Sequence, residues 1–224
     1  MFLCSILILK LSWEGKLSYY IHPRYSLWAT VAALVTFCVV PLVYIFKRHI
    51  HVEQPGRSGR ILNRIIIVVL AAALCIPAMP LSSFTASERF DPAAPPTANI
   101  SYMLGSPVNP NAANLTIREW IILLYRKGAD LSAYQGRTVD LTGFLYPNTD
   151  RQFYVMRFVV TCCTADATPI GIPVQYTWSP EFKSGDWVEV QGKISVVQTG
   201  QEPSVLIVPT SVTAALQPLV PYIY

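Results

Sequence analysis

Two long apolar runs joined by a basic connection constrain this chain more than any other feature. From Leu27 to Phe46, and again from Ile61 to Met79, nearly every side chain is apolar. A helix rising ~1.5 Å per residue needs about 20 such residues to cross ~30 Å of hydrocarbon. The pattern predicts transmembrane helices over about 25–46 and 61–80. Between them stand Lys47, Arg48, Arg57, Arg60 and Arg64 against a single acid, Glu53. A short loop with that excess of Lys and Arg stays in the cytoplasm, so the chain is expected in the cell membrane with everything after Pro80 extracytoplasmic.

The first eighteen residues form a third, ambiguous apolar segment. Met1 to Leu9 is apolar, but Lys10, Glu14 and Lys16 interrupt the run after about half a bilayer. A short or truncated first span over 1–18 is one reading, with Tyr19, Tyr20 and Tyr25 as interfacial anchors; a cleaved segment is the other. A signal peptide would carry a basic start and a small-residue cleavage site, and neither stands here. The expectation is therefore two or three N-terminal transmembrane helices.

Charge separates the chain into halves. Residues 1–115 hold 9 of the 17 Lys and Arg and 4 of the 13 Asp and Glu, whereas residues 116–224 hold 8 and 9. The positive excess belongs to the membrane half, and the distal half is near neutral. Nucleic acid is excluded as an expected partner, because its binding rests on a basic surface that neutralises phosphates.

Residues 81–114 read as a Pro-rich linker, extended and mobile, through Asp91-Pro92-Ala93-Ala94-Pro95-Pro96 and Asn109-Pro110-Asn111. A helix is expected from Leu115 to about Lys127, with Thr116 as its cap, Glu119 three residues on, and Gly128 at its end. Beyond it the apolar period changes from helical to alternating. Strands are read at Thr138–Leu145, Tyr154–Cys163, Gly171–Tyr176, Trp187–Val196 and Val205–Val208, the last followed by a second short segment around Val212. The fold class expected is membrane-anchored α + β, with residues 115–224 as a small five-stranded barrel of the oligonucleotide/oligosaccharide-binding (OB) type behind a leading helix.

The segment from Arg157 to Gly171 carries the candidate chemistry, because it holds Cys162-Cys163 and Asp166. On a persisting strand, adjacent side chains point to opposite faces, so Cys162 would join the core face of Met156, Phe158 and Val160, and Cys163 would lie outward with Arg157. A disulfide between the two is disfavoured, since Cα atoms ~3.8 Å apart are closer than the ~4.4 Å minimum of a usual bridge. Three readings stay open. Cys162 is a small buried hydrophobe beside an incidental thiol; or Cys162, Cys163 and Asp166 hold a soft ion such as Zn²⁺ or Cu⁺, with His22 as a donor from the external loop; or Cys163 is a redox thiol whose pKa Arg157 lowers.

Other residues weigh less. His49 and His51 in the basic loop make half a metal site at most, and Cys38 and Cys75 read as packing residues within the spans. No nucleophile elbow, phosphate loop, metalloprotease helix or paired carboxylates stand in the sequence, so an enzyme is not expected.

Several segments taken together resemble a known family. Tyr20-Ile21-His22-Pro23-Arg24, the basic His-containing loop, Gly143-Phe144-Leu145, Arg157-Phe158, Cys162-Cys163-x-Ala165-Asp166-Ala167-x-Pro169-x-Gly171 and Gly185-Asp186-Trp187-Val188-Glu189-Val190-x-Gly192 are similar to the YcgQ-like permease-subunit family. That resemblance implies an accessory membrane subunit beside a larger multi-spanning permease-like protein, with the external domain acting as a binding or interaction module. The alternative from another class is a membrane-tethered metal-binding or thiol-redox protein using Cys162 and Cys163.

Overall fold

A computed structural model describes residues 2–47, 57–91, 106–111, 114–149, 151–176, 181–199 and 202–224. His49 and His51 lie outside the described residues, as does most of the Pro-rich stretch. The chain divides into two compact units. One is Met1–Pro80 with Cys162–Thr164, and the other is Leu81–Thr161 with Ala165–Tyr224.

The first unit contains three helices: α1 (Phe2–Trp13), α2 (Pro23–Lys47) and α3 (Arg57–Cys75). Within α2, Pro23–Phe46 is the one described helix long and apolar enough to cross a membrane; its 24 residues extend about 36 Å. Leu27, Trp28, Val35, Leu42 and Ile45 stand on its exposed faces. The second run, expected to span 61–80, stops at Cys75, so its apolar helical part is only Ile61–Cys75. Pro77 and Pro80 account for the early stop, since each lacks an N–H and disfavours helix in the residue before it. At ~1.5 Å per residue that part extends about 22 Å, short of a full bilayer.

Helix α1 is too short to span and packs on its neighbours. Phe2 stacks on Phe37 of α2 with ring centroids 4.9 Å apart, and Ser12 and Thr30 share a hydroxyl hydrogen bond of 2.9 Å. Lys10 donates from Nζ to the Leu74 carbonyl at 2.6 Å, giving a partner to one of the carbonyls that a helix leaves open in its last turn. Cys38 and Cys75 are exposed on this unit, not packed between its helices as the sequence suggested.

The second unit opens with a helix where none was expected. Leu81–Asp91 begins the supposed linker, yet Ser83–Arg89 forms helix α4 against the barrel, with Ala86 fully buried. Arg89 Nη1 donates to the Ala167 carbonyl at 2.8 Å, and Phe90 meets Tyr146 and Tyr154 edge-on at 5.8 and 5.0 Å. A small side chain at position 86 lets the short helix approach closely, and that contact, not helix propensity, orders it.

Helix α5 (Ile117–Tyr125) starts where the sequence placed it. Glu119 N–H donates to Thr116 Oγ1 at 3.3 Å, and Thr116 N–H donates to Glu119 Oε2 at 2.7 Å. This reciprocal pair satisfies two donors that a helix start leaves open. The helix ends before Gly128, because Arg126 is already extended at ψ 147°. Trp120, Ile121, Leu123 and Leu124 are buried in the barrel core.

Five long strands close the barrel: β1 (Thr138–Thr149), β2 (Gln152–Val159), β3 (Thr168–Gln175), β4 (Trp187–Thr199) and β5 (Glu202–Ala214). The order is β1-β4-β5-β3-β2, and β2 pairs back onto β1. Every pairing around the ring is antiparallel except β3 with β5, which meet in parallel at Val174 and Ile207. A short sixth strand, β6 (Tyr222–Ile223), lies parallel to the end of β2. Alternation fills the interior with Val139, Leu141 and Leu145 of β1 and with Val188, Val190 and Ile194 of β4, as read from sequence; Val196 is only half-buried.

Two strand assignments change. The segments at Val205–Val208 and around Val212 are one strand, β5, bent opposite a register shift between Gln191 and Gly192. A Cβ at Gly192 would strike the Val208 carbonyl and lie 2.8 Å from Pro209 Cα, so glycine is required there. Strand β2 ends at Val159, four residues short of Cys163. The closed core sets a clear expectation. Val190 is fully buried whereas Val197 is exposed, so Val190→Asp should abolish the β-sheet circular dichroism of the full chain by burying an unpaired carboxylate, and Val197→Asp should leave it intact.

Candidate functional site

The turn between β2 and β3 gathers the candidate donors. The last pair of that ladder is Val159 with Thr168, so the residues between them leave the sheet. Thr161 N–H donates to Asp166 Oδ1 at 3.0 Å across this turn, and Thr164–Asp166 forms a single 3₁₀ turn. Such a carboxylate-to-backbone bond stabilises a local bend in preference to a ladder. The bend cancels the strand geometry that would separate the two cysteines. Cys162 is exposed, so its expected place on the core face is overturned; Cys163 is half-buried.

The thiols and the carboxylate come together. Sγ of Cys162, Sγ of Cys163 and a carboxylate oxygen of Asp166 all lie within 4.8 Å of one another. The two sulfurs are 3.6 Å apart, and neither cysteine is in a disulfide. Two thiolates bound at ~2.3 Å to a tetrahedral Zn²⁺ stand about 3.8 Å apart, so this separation suits a shared ion. The set is two sulfurs and one oxygen, one donor short of a closed tetrahedral site.

His22 reaches the same segment through its backbone. Its N–H donates to the Cys162 carbonyl at 2.9 Å, Thr164 N–H donates to the Tyr20 carbonyl at 3.0 Å, and Ile21 bridges Cys163. The His22 imidazole accepts the Arg24 N–H at Nδ1 (3.0 Å) and meets the Tyr25 ring at 6.0 Å. It is not in the donor cluster.

Arg157 serves a different place. Its guanidinium donates to the carbonyls of Val220 (2.8 Å), Pro221 (3.1 Å) and Thr142 (3.4 Å) and stands 5.3 Å over the Trp187 ring. Burial lowers its pKa, while Tyr224 raises it. The Arg157 side chain lines a cavity of about 470 Å³ with Thr116, Asp140, Thr142 and Tyr222. Sequence reading missed this arrangement because two of the three carbonyl partners, Val220 and Pro221, lie more than sixty residues away in a stretch with no charged residue.

Residues 101–224 match the model of the DUF1980 C-terminal domain. The chain belongs to that family. It is also 28% identical over 65 residues to UPF0703 protein YcgQ of Bacillus subtilis (strain 168), a match covering 28% of this chain and 23% of the relative. The chain therefore aligns with about a quarter of that relative's length. The YcgQ-like resemblance seen in the motifs is borne out by both matches, and the cysteine turn falls inside the family's domain.

Replacing Asp166 by Asn separates the roles of its carboxylate. Asn can still accept the Thr161 N–H through Oδ1 and keep the bend, but it brings no negative donor. The thermal midpoint of Asp166→Asn should change by less than about 3 °C, since surface changes stay within ~0.5 kcal/mol, while any Zn²⁺ affinity of the turn drops severalfold in chelator competition.

Proposed function

We propose that this protein is a membrane-anchored accessory subunit of a two-component permease, whose external barrel is a binding module for a soft cation, Zn²⁺ or Cu⁺. The observation that carries the cation reading is the convergence of Cys162, Cys163 and Asp166 within 4.8 Å. Thiolates favour these ions over Mg²⁺ or Ca²⁺, which take oxygen ligands. With three donors from the chain, a fourth position is left for water or for a partner's ligand, so the ion can be handed on. The closed five-stranded barrel with its β3–β5 parallel contact supports an OB-like binding domain.

Anchorage rests on α2, and the multi-pass reading takes the whole of α3, Arg57–Cys75, as the second pass: it extends about 28 Å, and its basic first turn can lie at the headgroups. The basic residues between the apolar runs support a cytoplasmic loop and an extracytoplasmic barrel. Among the described residues one helix is long and apolar enough to span, and so few spans do not enclose a solute pathway, which is why a larger multi-spanning membrane protein is assigned as partner. Binding is the function, and no acid, base and nucleophile set is assigned.

Purified full-length chain should take up about one Zn²⁺ with proton release, and Co²⁺ in its place should give sulfur-to-metal charge-transfer absorption. Replacing Cys162 and Cys163 together by Ser should abolish both signals. Undiminished uptake in that variant would sink the cation assignment. Topology has its own test: a reporter active only outside the cytoplasm should work after Tyr224 and fail near Gln54, and the reverse pattern would overturn the orientation.

A further inference from the structure

We infer that one end of the barrel unit is a lipid-docking face, made by Phe84 of α4 and by Leu216, Leu219 and Val220 in the segment after β5. These side chains are 72%, 92%, 89% and 48% exposed. Single exposed apolar residues are ordinary on a soluble surface, whereas a group of them marks an interaction site.

Three contacts bring the two segments to the same end of the barrel. Leu81 N–H donates to the Tyr222 hydroxyl at 2.6 Å, a Cβ at Gly185 would lie 2.8 Å from Ser83 Oγ, and Ala215 N–H donates to the Trp187 carbonyl at 2.8 Å. The loop before β4, the start of α4 and the segment after β5 therefore converge. Trp187, Tyr222 and Tyr224 of the outer aromatic cluster belong to the same end through these contacts, and they are residue types that prefer the boundary between water and hydrocarbon.

The occupant follows from the tether and from chemistry. Phe84 is four residues beyond Pro80, at most about 14 Å of extended chain, and Pro80 closes the apolar run that begins at Ile61. The connection is thus short enough for this end of the barrel to reach the leaflet where that run emerges. From Pro203 to Tyr224 there is no charged residue, so seating that segment in the interfacial layer removes none of its own side-chain charges from water. Arg157 supplies hydrogen bonds to the Val220 and Pro221 carbonyls, which water would otherwise have to satisfy. A protein hot spot is built on Arg, Trp or Tyr anchors; the four residues of this face are three aliphatic side chains and one phenyl ring, and the neighbouring Arg89 is engaged with the Ala167 carbonyl.

The inference rests on the membrane anchorage proposed above, and one experiment separates the two. The full chain is placed in nanodiscs of phosphatidylcholine and phosphatidylglycerol containing a photoreactive phosphatidylcholine with its diazirine near the headgroup. After illumination, lipid adducts are mapped on peptides by mass spectrometry. Adducts are expected on α2 and on the peptides carrying Phe84 and residues 216–220. Leu216→Asn with Leu219→Asn, both at exposed positions, should cut the barrel adducts at least fivefold and leave those on α2 unchanged. Adducts on α2 without any at Phe84 or 216–220 would overturn the docking face while leaving anchorage standing, and would assign the patch to a protein partner. Barrel adducts that persist in the double variant would also overturn it. An unlabelled α2 would refute the anchorage itself.

Discussion

The barrel depends on the double pairing of β1. Its first half, Thr138 to Phe144, runs against β4, and its second half, from Phe144 onward, runs against β2. Phe144 is the crossover, opposite Trp187 on one side and Met156 on the other. The strand can turn there because position 143 is glycine: a Cβ would lie 2.5 Å from the Met156 carbonyl and 3.0 Å from Val155 Cγ2. Closure removes the exposed edges that an open sheet would present for aggregation. It also fixes two apolar surfaces, since alternate residues of β1 and β2 point into the barrel and out beneath α4.

That second surface controls the cysteine turn. Val160 and Ala167, which flank it, are both buried in the outer cluster with Phe144, Met156 and Phe158. The turn is therefore held at each end by apolar packing and across its middle by the Thr161–Asp166 bond. Between these fixed points the backbone has too few residues to continue as strand. Two adjacent cysteines, which a strand would send to opposite faces, instead share one side with a carboxylate. The local chemistry is a consequence of where the β2–β3 ladder ends.

Much of this was legible in the sequence, for reasons that differ by element. The Thr116–Glu119 capping box and the inward rows of β1 and β4 are local patterns, set by residues three or two apart. The elements that escaped depend on distant contacts. Helix α4 has only seven residues, and its order comes from packing on a barrel about sixty residues further on. Strand β5 contains Pro209, which splits it into two pieces by any local rule. Phe144, Met156 and Phe158 face outward but are buried, so a two-residue period cannot tell which side of β2 is core. The end of β2 was invisible for the same reason, and with it the exposure of Cys162. In the second apolar run, composition suggested a span, while Pro77 and Pro80 decided where the helix stops.

A three-donor site on an exposed bend is poorly suited to storing a cation and well suited to exchanging one. Four-ligand structural sites hold zinc as part of the fold, whereas here the core of Ile172, Val174 and Ile207 is built of apolar side chains away from the turn. On the proposed function, the turn would fill and empty without unfolding the barrel. A module tethered at the membrane beside a partner, as proposed, would experience an effective concentration in the millimolar range, and modest affinity would suffice for transfer. Docking the apolar end of the barrel on lipid would strengthen that effect by removing rotational freedom the tether alone leaves. The proposed membrane anchorage, cation turn and lipid-docking face would thus form one arrangement, in which weak contacts act together because all three belong to one covalent chain.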